Sequence, residues 1–279
     1  MKELNYNIKF IDKKRYLLAK KSSTKTILFL YTKYGWDKAL NNKIKDYEAF
    51  FYIFGSIDPK CFDFIVPLTI EAEEYIATHR NLFPKKSYSI PSKFCINTCN
   101  NKRKFYNYLA KNGFVEYFPK INSNFDYPYL LRKEIGVNGK NIYIIENQNM
   151  EMAYKAKFAS KNYFTQEYIH GQDEYTAHII STNNKIIFFK VLKFTFQEKY
   201  FIKGKKYCFN SKKEINHNEY KPIFEDILST MNYEGICCFN YKVINKSIKI
   251  FEINPRPGRT LKYFINEALA SYVDSIVEY

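Results

Sequence analysis

Lys249-Ile-Phe-Glu-Ile-Asn-Pro-Arg-Pro-Gly258 decides how the rest of this chain is read. As a strand it places Glu252 and Asn254 on one face, roughly 6–7 Å apart by the rise per residue. Pro255 and Pro257 bias Asn254 and Arg256 towards extended backbone, so Arg256 continues that face. A carboxylate, an amide oxygen and a guanidinium then follow in order. Hard oxygen donors suit Mg²⁺, which keeps several waters and takes substrate phosphates. A neighbouring guanidinium suits a phosphoryl oxygen. The local reading is a magnesium–nucleotide site. An edge strand with a surface ion pair and a Pro-rich turn would be written with the same letters.

Charge agrees with an anionic ligand without naming it. The 279 residues carry 44 Lys and Arg against 28 Asp and Glu, a net +16. A field of that sign attracts nucleotides, phosphorylated substrates, nucleic acid or an acidic membrane surface. The basic residues are scattered. Lys13-Lys14-Arg15, Lys20-Lys21, Lys102-Arg103-Lys104 and Lys203-Gly204-Lys205-Lys206 read as solvated faces. They come without the fingerprint of a nucleic-acid module, which argues against that partner. Ala49–Gly55, the longest apolar run, is too short to span a bilayer. Cys61, Cys95, Cys99, Cys208, Cys237 and Cys238 lack zinc spacing and follow no secretory leader, so they read as reduced thiols of a cytoplasmic protein.

Periodicity places the elements. Strands are expected at Thr26–Tyr31, Tyr47–Phe54 and Phe62–Leu68, with helical stretches around Trp36–Asp46 and over Ile70–His79. Short apolar strands alternating with helices point to a parallel, Rossmann-like sheet. It has no G-x-G-x-x-G and is not read as a dinucleotide site. A helix starting at Ser92 or Asn97 should run through Lys102–Lys111 and stop at Asn112-Gly113. Tyr127–Arg132 and Ile142–Ile145 read as a hairpin around the turn Glu134–Asn141, and Met150–Phe158 as a helix. Further strands are expected at Tyr163–Ile169, Glu174–Ser181 and Lys185–Phe196, followed by a basic loop. The helix Glu219–Met231, the hairpin Ile236–Val243 with Ser247–Asn254, and a helix at Leu261–Tyr272 complete the chain.

Four more pieces accompany the terminal motif. Tyr129, Leu131 and Lys133 share a strand face, so Lys133 points from an apolar wall, either towards a ligand or as a snorkelling surface lysine. Gly136-Val-Asn-Gly139-Lys140 could lay amides over phosphates or be a plain hairpin loop; it does not fit a Walker A loop. Gln166-Glu-Tyr-Ile169 leads into Gly171-Gln-Asp-Glu174. An extended segment there can offer backbone groups to adenine and a carboxylate to ribose hydroxyls, or simply pair as strands. Asn101-Lys102 sits near a helix start, where a cation by itself says little.

Taken in this order, the pieces resemble the ATP-grasp superfamily: a strand ending in Lys, a Gly-rich flap, a Gln/Glu-rich adenine hinge with a following Glu, and a late E-x-N-P-R. The resemblance runs from about Phe62 to Leu261. It implies a Rossmann-like α/β domain over 1–95, an ATP-grasp small lobe with its flap over 96–168, and a large lobe with the metal site over 169–279. Lys102 and Lys133 would touch nucleotide phosphates, with Lys133 and Arg256 in catalytic roles. Gly136 and Gly139 would shape the flap. Gln166, Glu167, Tyr168 and Ile169 would form the adenine hinge, and Glu174 would hold the ribose. Glu252 and Asn254 would ligate Mg²⁺ or Mn²⁺. Lys190 or Lys193 would stand near the acceptor. The pattern has one departure: many members carry Asp or Glu at the position of Asn240. A neutral amide there, still a candidate ligand, leaves either a weaker metal site or charge supplied by the substrate.

The activity this implies is ATP-dependent activation of a small-molecule carboxylate as an acyl phosphate, attacked by an amine or thiol. The same fold used as a small-molecule kinase, and a basic nucleic-acid-binding protein, are the alternatives. A homodimer is compatible with the sequence.

Overall fold

The structure is a computed structural model and describes residues 24–30, 35–40, 42–52, 58–136, 139–158, 162–205 and 209–277. The basic clusters at 13–15 and 20–21, Val137-Asn138, Lys206, Cys208 and the expected strand ends at Tyr31 and Ile53-Phe54 lie outside those residues.

The described residues form three sheets. The first is parallel, in the order β2 (Glu48–Tyr52), β1 (Thr26–Leu30), β3 (Phe64–Pro67). All five residues of β1 are buried, as a strand covered on both faces requires. Its entry is fixed by Asp63, whose Oδ2 accepts from the Thr26 amide at 2.7 Å and the Thr26 hydroxyl at 2.9 Å. Helix α1 (Trp36–Leu40) is shorter than the expected stretch, and α2 (Ile70–Thr78) starts at Thr69, whose Oγ1 caps the Ala72 amide.

The expected single helix after Ser92 is two: α3 (Lys93–Asn100) and α4 (Lys102–Lys111). Ser92 caps the first. Asn101 has extended backbone, and its Oδ1 accepts from the amides of Arg103 at 3.1 Å and Lys104 at 3.0 Å. A second N-cap inside the apolar pattern therefore breaks it in two.

The second sheet is small and antiparallel, ordered β5 (Ile142–Ile145), β4 (Tyr129–Lys133), β6 (Tyr163–Glu167), with α5 (Gln148–Phe158) on its outer side. Tyr129, Leu131 and Ile145 pack there with Phe158. The opposite face presents Leu130, Ile142 and Ile144 to Tyr168 and Ile202.

The third sheet is antiparallel and ordered β11 (Ser247–Asn254), β10 (Gly235–Ile244), β7 (Asp173–Thr182), β8 (Lys185–Phe196), β9 (Phe209–Ile215). Strand β9 falls in the stretch expected to be a loop; it is an exposed, lysine-bearing edge, the composition edges favour. One face of this sheet packs on α3, α4 and α6 (Lys221–Thr230). The other shares a core with the first sheet through α7 (Ile265–Val277), which follows a 3₁₀ turn at Arg259–Tyr263 and so begins later than expected. Tyr272 of α7 is fully buried; its hydroxyl donates to the Ile65 carbonyl at 2.9 Å and accepts from the Ser89 amide at 2.8 Å. No helix among the described residues is long and apolar enough to cross a membrane.

Candidate active site

The inner face of the small sheet and the β10–β11 hairpin of the large one enclose a cavity of about 270 Å³. Eight lining residues are Lys or Arg and two, Glu174 and Glu252, are acidic. That balance is built for an anion.

Glu252 is the centre. On β11 it sits opposite Asn240 of β10, at a bulge that follows Asn240. Its Oε2 lies 3.2 Å from Lys102 Nζ and 3.3 Å from Arg132 Nη2. Its Oε1 accepts from Asn240 Nδ2 at 3.1 Å and Asn254 Nδ2 at 3.4 Å. Burial pushes this carboxyl's pKa up, but the Lys102 and Arg132 charges and the Lys102 and Asn240 hydrogen bonds outweigh it and hold the pKa at about 2. The carboxylate is therefore ionised at any physiological pH.

Each neighbour is delivered by its element. Lys102 is the first residue of α4 and also donates to the Gly136 carbonyl at 2.9 Å, tying the glycine turn to Glu252. Arg132 is buried on β4; its Nη1 donates to Gln166 Oε1 at 2.6 Å. Arg256 turns back on its own strand end, donating to Asn254 Oδ1 at 3.2 Å and to the Pro257 carbonyl at 2.8 Å.

A second cluster lies beside the first. Lys203 Nζ donates to Thr176 Oγ1 at 2.5 Å and Asn240 Oδ1 at 3.0 Å, and pairs with Glu174 Oε1 at 3.3 Å. Thr176 on β7 is the register partner of Asn240. The turn closes over this cluster. Gly139 has φ +65°, and a Cβ there would stand 2.8 Å from the Lys203 carbonyl, so only glycine fits.

At the hinge, Lys242 is 2% exposed and donates to the carbonyls of Ile169 at 2.9 Å and Gly171 at 2.7 Å. Burial lowers its pKa to about 8 despite the opposing pull of Glu174 and Asp173.

Of the residues singled out in the sequence, Lys102, Lys133, Gly136, Gly139, Tyr168, Ile169, Glu174, Asn240, Glu252, Asn254 and Arg256 line the cavity. Gln166 and Glu167 do not: Gln166 is buried beneath Arg132, and the Glu167 carboxylate caps the Lys120 amide at 3.0 Å. Lys190 pairs with Glu214 and Glu267, and Lys193 with Asp173, so neither lines the cavity. Contrary to expectation, the face of β4 that carries Tyr129 and Leu131 is not the one turned to the cavity. Tyr129 and Leu131 belong to the outer core, and the cation of β4 that reaches Glu252 is Arg132, on the face of Leu130. Lys133 meets the cavity at the strand's end. Arg132, Thr176 and Lys242 went unread, and Lys203, expected on a solvated face, lines the cavity instead; a charged residue set between apolar neighbours within a strand was the available sign for Lys242.

The donor set fits a hard divalent cation. Glu252 and Asn254 offer oxygens, with a single carboxylate among them, whereas the expected third ligand, Asn240, turns its Nδ2 to Glu252 and its Oδ1 to Lys203 and Thr176. Among the described residues no group of three or more His, Cys, Asp or Glu gathers.

A two-lobed cleft closed by a glycine turn, with a cation-ringed carboxylate on a terminal hairpin, defines a class of nucleotide-dependent enzyme folds. A family model described as an ATP-grasp domain matches residues 99–260, more than half of the chain, and the chain belongs to that family. A comparison with curated proteins found no match. Among solved structures, D-alanine–D-alanine ligase from Bacillus anthracis complexed with ATP superposes with a TM-score of 0.63 at 11% identity, covering 92% of this chain and 98% of the ligase. N5-carboxyaminoimidazole synthetase from Staphylococcus aureus complexed with ADP gives 0.62 at 14%, covering 94% and 74%. L-amino acid ligase from Bacillus licheniformis gives 0.61 at 13%, covering 90% and 74%. At these identities the likeness is one of fold.

Proposed function

We propose that the chain is an ATP-dependent ligase that activates a small-molecule carboxylate as an acyl phosphate, which an amine or thiol then attacks. The observation that carries this is Glu252, held ionised among Lys102, Arg132, Asn240 and Asn254 inside a cavity with a large cationic excess. Phosphoryl transfer needs positioning and charge neutralisation more than covalent help from the protein. Lys102, Lys133 and the glycine turn would bind the phosphates. Tyr168 and Ile169 would meet the base, and Glu174 the ribose. Arg256 would stabilise charge on the transferring phosphoryl group. Glu252 and Asn254 would hold a magnesium ion, which supplies further charge neutralisation, with Asn240 orienting the Glu252 carboxylate through its Nδ2. Gly136 and Gly139 would let the turn close and keep water from the acyl phosphate.

The test is ADP release over a panel of amino acids and sugar acids, each with paired amines, alongside melting curves. Mg-ATP should raise the melting temperature through its preferential binding to the folded chain. Glu252→Ala should abolish that rise, and Arg256→Ala should abolish turnover while keeping it. ADP release coupled to an amide product supports the ligase; a phosphorylated product without a second nucleophile would mean a kinase. Wild-type ATP turnover in both variants would overturn the assignment.

A further inference from the structure

The Lys203 ammonium occupies a position with the chemistry of a metal site. It is surrounded by oxygens: Thr176 Oγ1 at 2.5 Å, Asn240 Oδ1 at 3.0 Å and Glu174 Oε1 at 3.3 Å. Its fourth side is closed by the face of Phe194, with Nζ 4.5 Å from the ring centroid. Its backbone is fixed as well, because the Lys203 carbonyl packs against Gly139. This cation is built in rather than tethered loosely at the rim.

The oxygens are shared with the Glu252 cluster. Asn240 Nδ2 donates to Glu252 Oε1 while its Oδ1 accepts from Lys203 Nζ, so one amide bridges the two clusters. An amide suits both jobs. A carboxylate at that position would have no N–H to give Glu252 and would instead set a second anion against it. The charge balance is also closed. A lysine beside a neutral amide carries one positive charge, the same as a divalent cation beside a carboxylate. Lysine and asparagine together thus replace a metal ion and an acid without changing the local charge.

We propose that Lys203 is a resident cation that takes the place of a divalent ion on the Asn240 side, so that the nucleotide complex holds one divalent metal, on the Glu252–Asn254 side. A second dication would have to share Asn240 Oδ1 with an ammonium and meet its charge at contact distance, without a free carboxylate to compensate. The inference rests on the ATP-site reading above. It makes Lys203 a positioning residue for the metal and nucleotide.

The experiment counts metal rather than turnover. Mn²⁺ is titrated into the full chain saturated with a non-hydrolysable ATP analogue, and bound ion is read from the loss of the free Mn²⁺ electron paramagnetic resonance signal. The wild type should take up one tightly held ion per chain. The double variant Lys203→Met/Asn240→Asp, which vacates the position and restores the acid, should take up two. A wild type that binds the analogue with two ions overturns this inference while leaving the ATP site intact. A folded double variant that still binds one ion also overturns it. A chain that binds no analogue overturns the ATP-site reading and this inference with it. Should the double variant not fold, the wild-type count decides.

Discussion

Replacing Arg132 by Met removes the buried cation from the Glu252 cluster and leaves two groups exposed to the consequence. Gln166 Oε1 loses a donor at 2.6 Å, and Glu252 Oε2 loses one of two cations. Removing one partner of a buried ion pair costs about 3–5 kcal/mol. Lys102 remains 3.2 Å from the carboxylate, which places the expected loss near the lower end, about 3 kcal/mol. For a chain of this size that corresponds to a fall in melting temperature of roughly 6–12 °C at neutral pH. Acid supplies an independent reading. The Glu252 pKa is depressed from its ordinary 4.5 to about 2, so its contribution is present above pH 4.5 and lost as pH falls through 2. The full contribution is about 3 kcal/mol. In the variant the carboxyl pKa rises towards its ordinary value, and the acid-sensitive part of the stability shrinks. Melting curves of both proteins at pH 7, 4.5 and 3 measure both effects. Equal melting temperatures at pH 7 together with equal losses on acidification would refute the claim that Arg132 and Glu252 form one buried electrostatic unit.

Gly139→Ala forces a side chain into left-handed backbone, at about 1–2 kcal/mol, and drives its Cβ against the Lys203 carbonyl. The expected result is a several-fold weaker grip on Mg-ATP, read as a smaller melting shift, with the nucleotide-free melting temperature down by only a few degrees; an unchanged nucleotide affinity contradicts it. Lys242 titrates near 8 in the fold instead of near its ordinary 10.5. The unfolded chain therefore holds a proton the fold has shed across that window, and stability should rise with pH there by up to about 3 kcal/mol. Lys242→Met should remove the rise, so parallel stability profiles from pH 7.5 to 10 for the two proteins would count against it.

Most strand positions, the two hairpins and the terminal Glu-x-Asn-Pro-Arg were legible because each rests on local alternation and turn chemistry. What escaped the sequence depends on which face a strand turns inward. On β4, Leu130 and Leu131 are both apolar, so alternation could not tell whether Arg132 or Lys133 faced the carboxylate. Lys203 lies in a run of lysines whose neighbours read as solvated, and only the closing turn of Gly139 gives that one a roof. Lys242 is opaque for a different reason. Two carbonyls exposed by the irregular backbone at Ile169 and Gly171 satisfy it, and no spacing rule reports on carbonyls that a loop turns inward. Asn101 shows the reverse case, where a cap signal was present in the letters but the apolar pattern ran straight through it.

The hydroxyl of Tyr272 has a consequence for how this chain is made. It reaches from α7 to the backbone at Ile65 and Ser89, and the apolar face of that helix completes the core of the parallel sheet. During synthesis the sheet's strands leave the ribosome some two hundred residues before the helix that covers them. One flank of that sheet stays bare until α7 has emerged, and a nascent chain stalled before that point would offer it to chaperones and to its own kind.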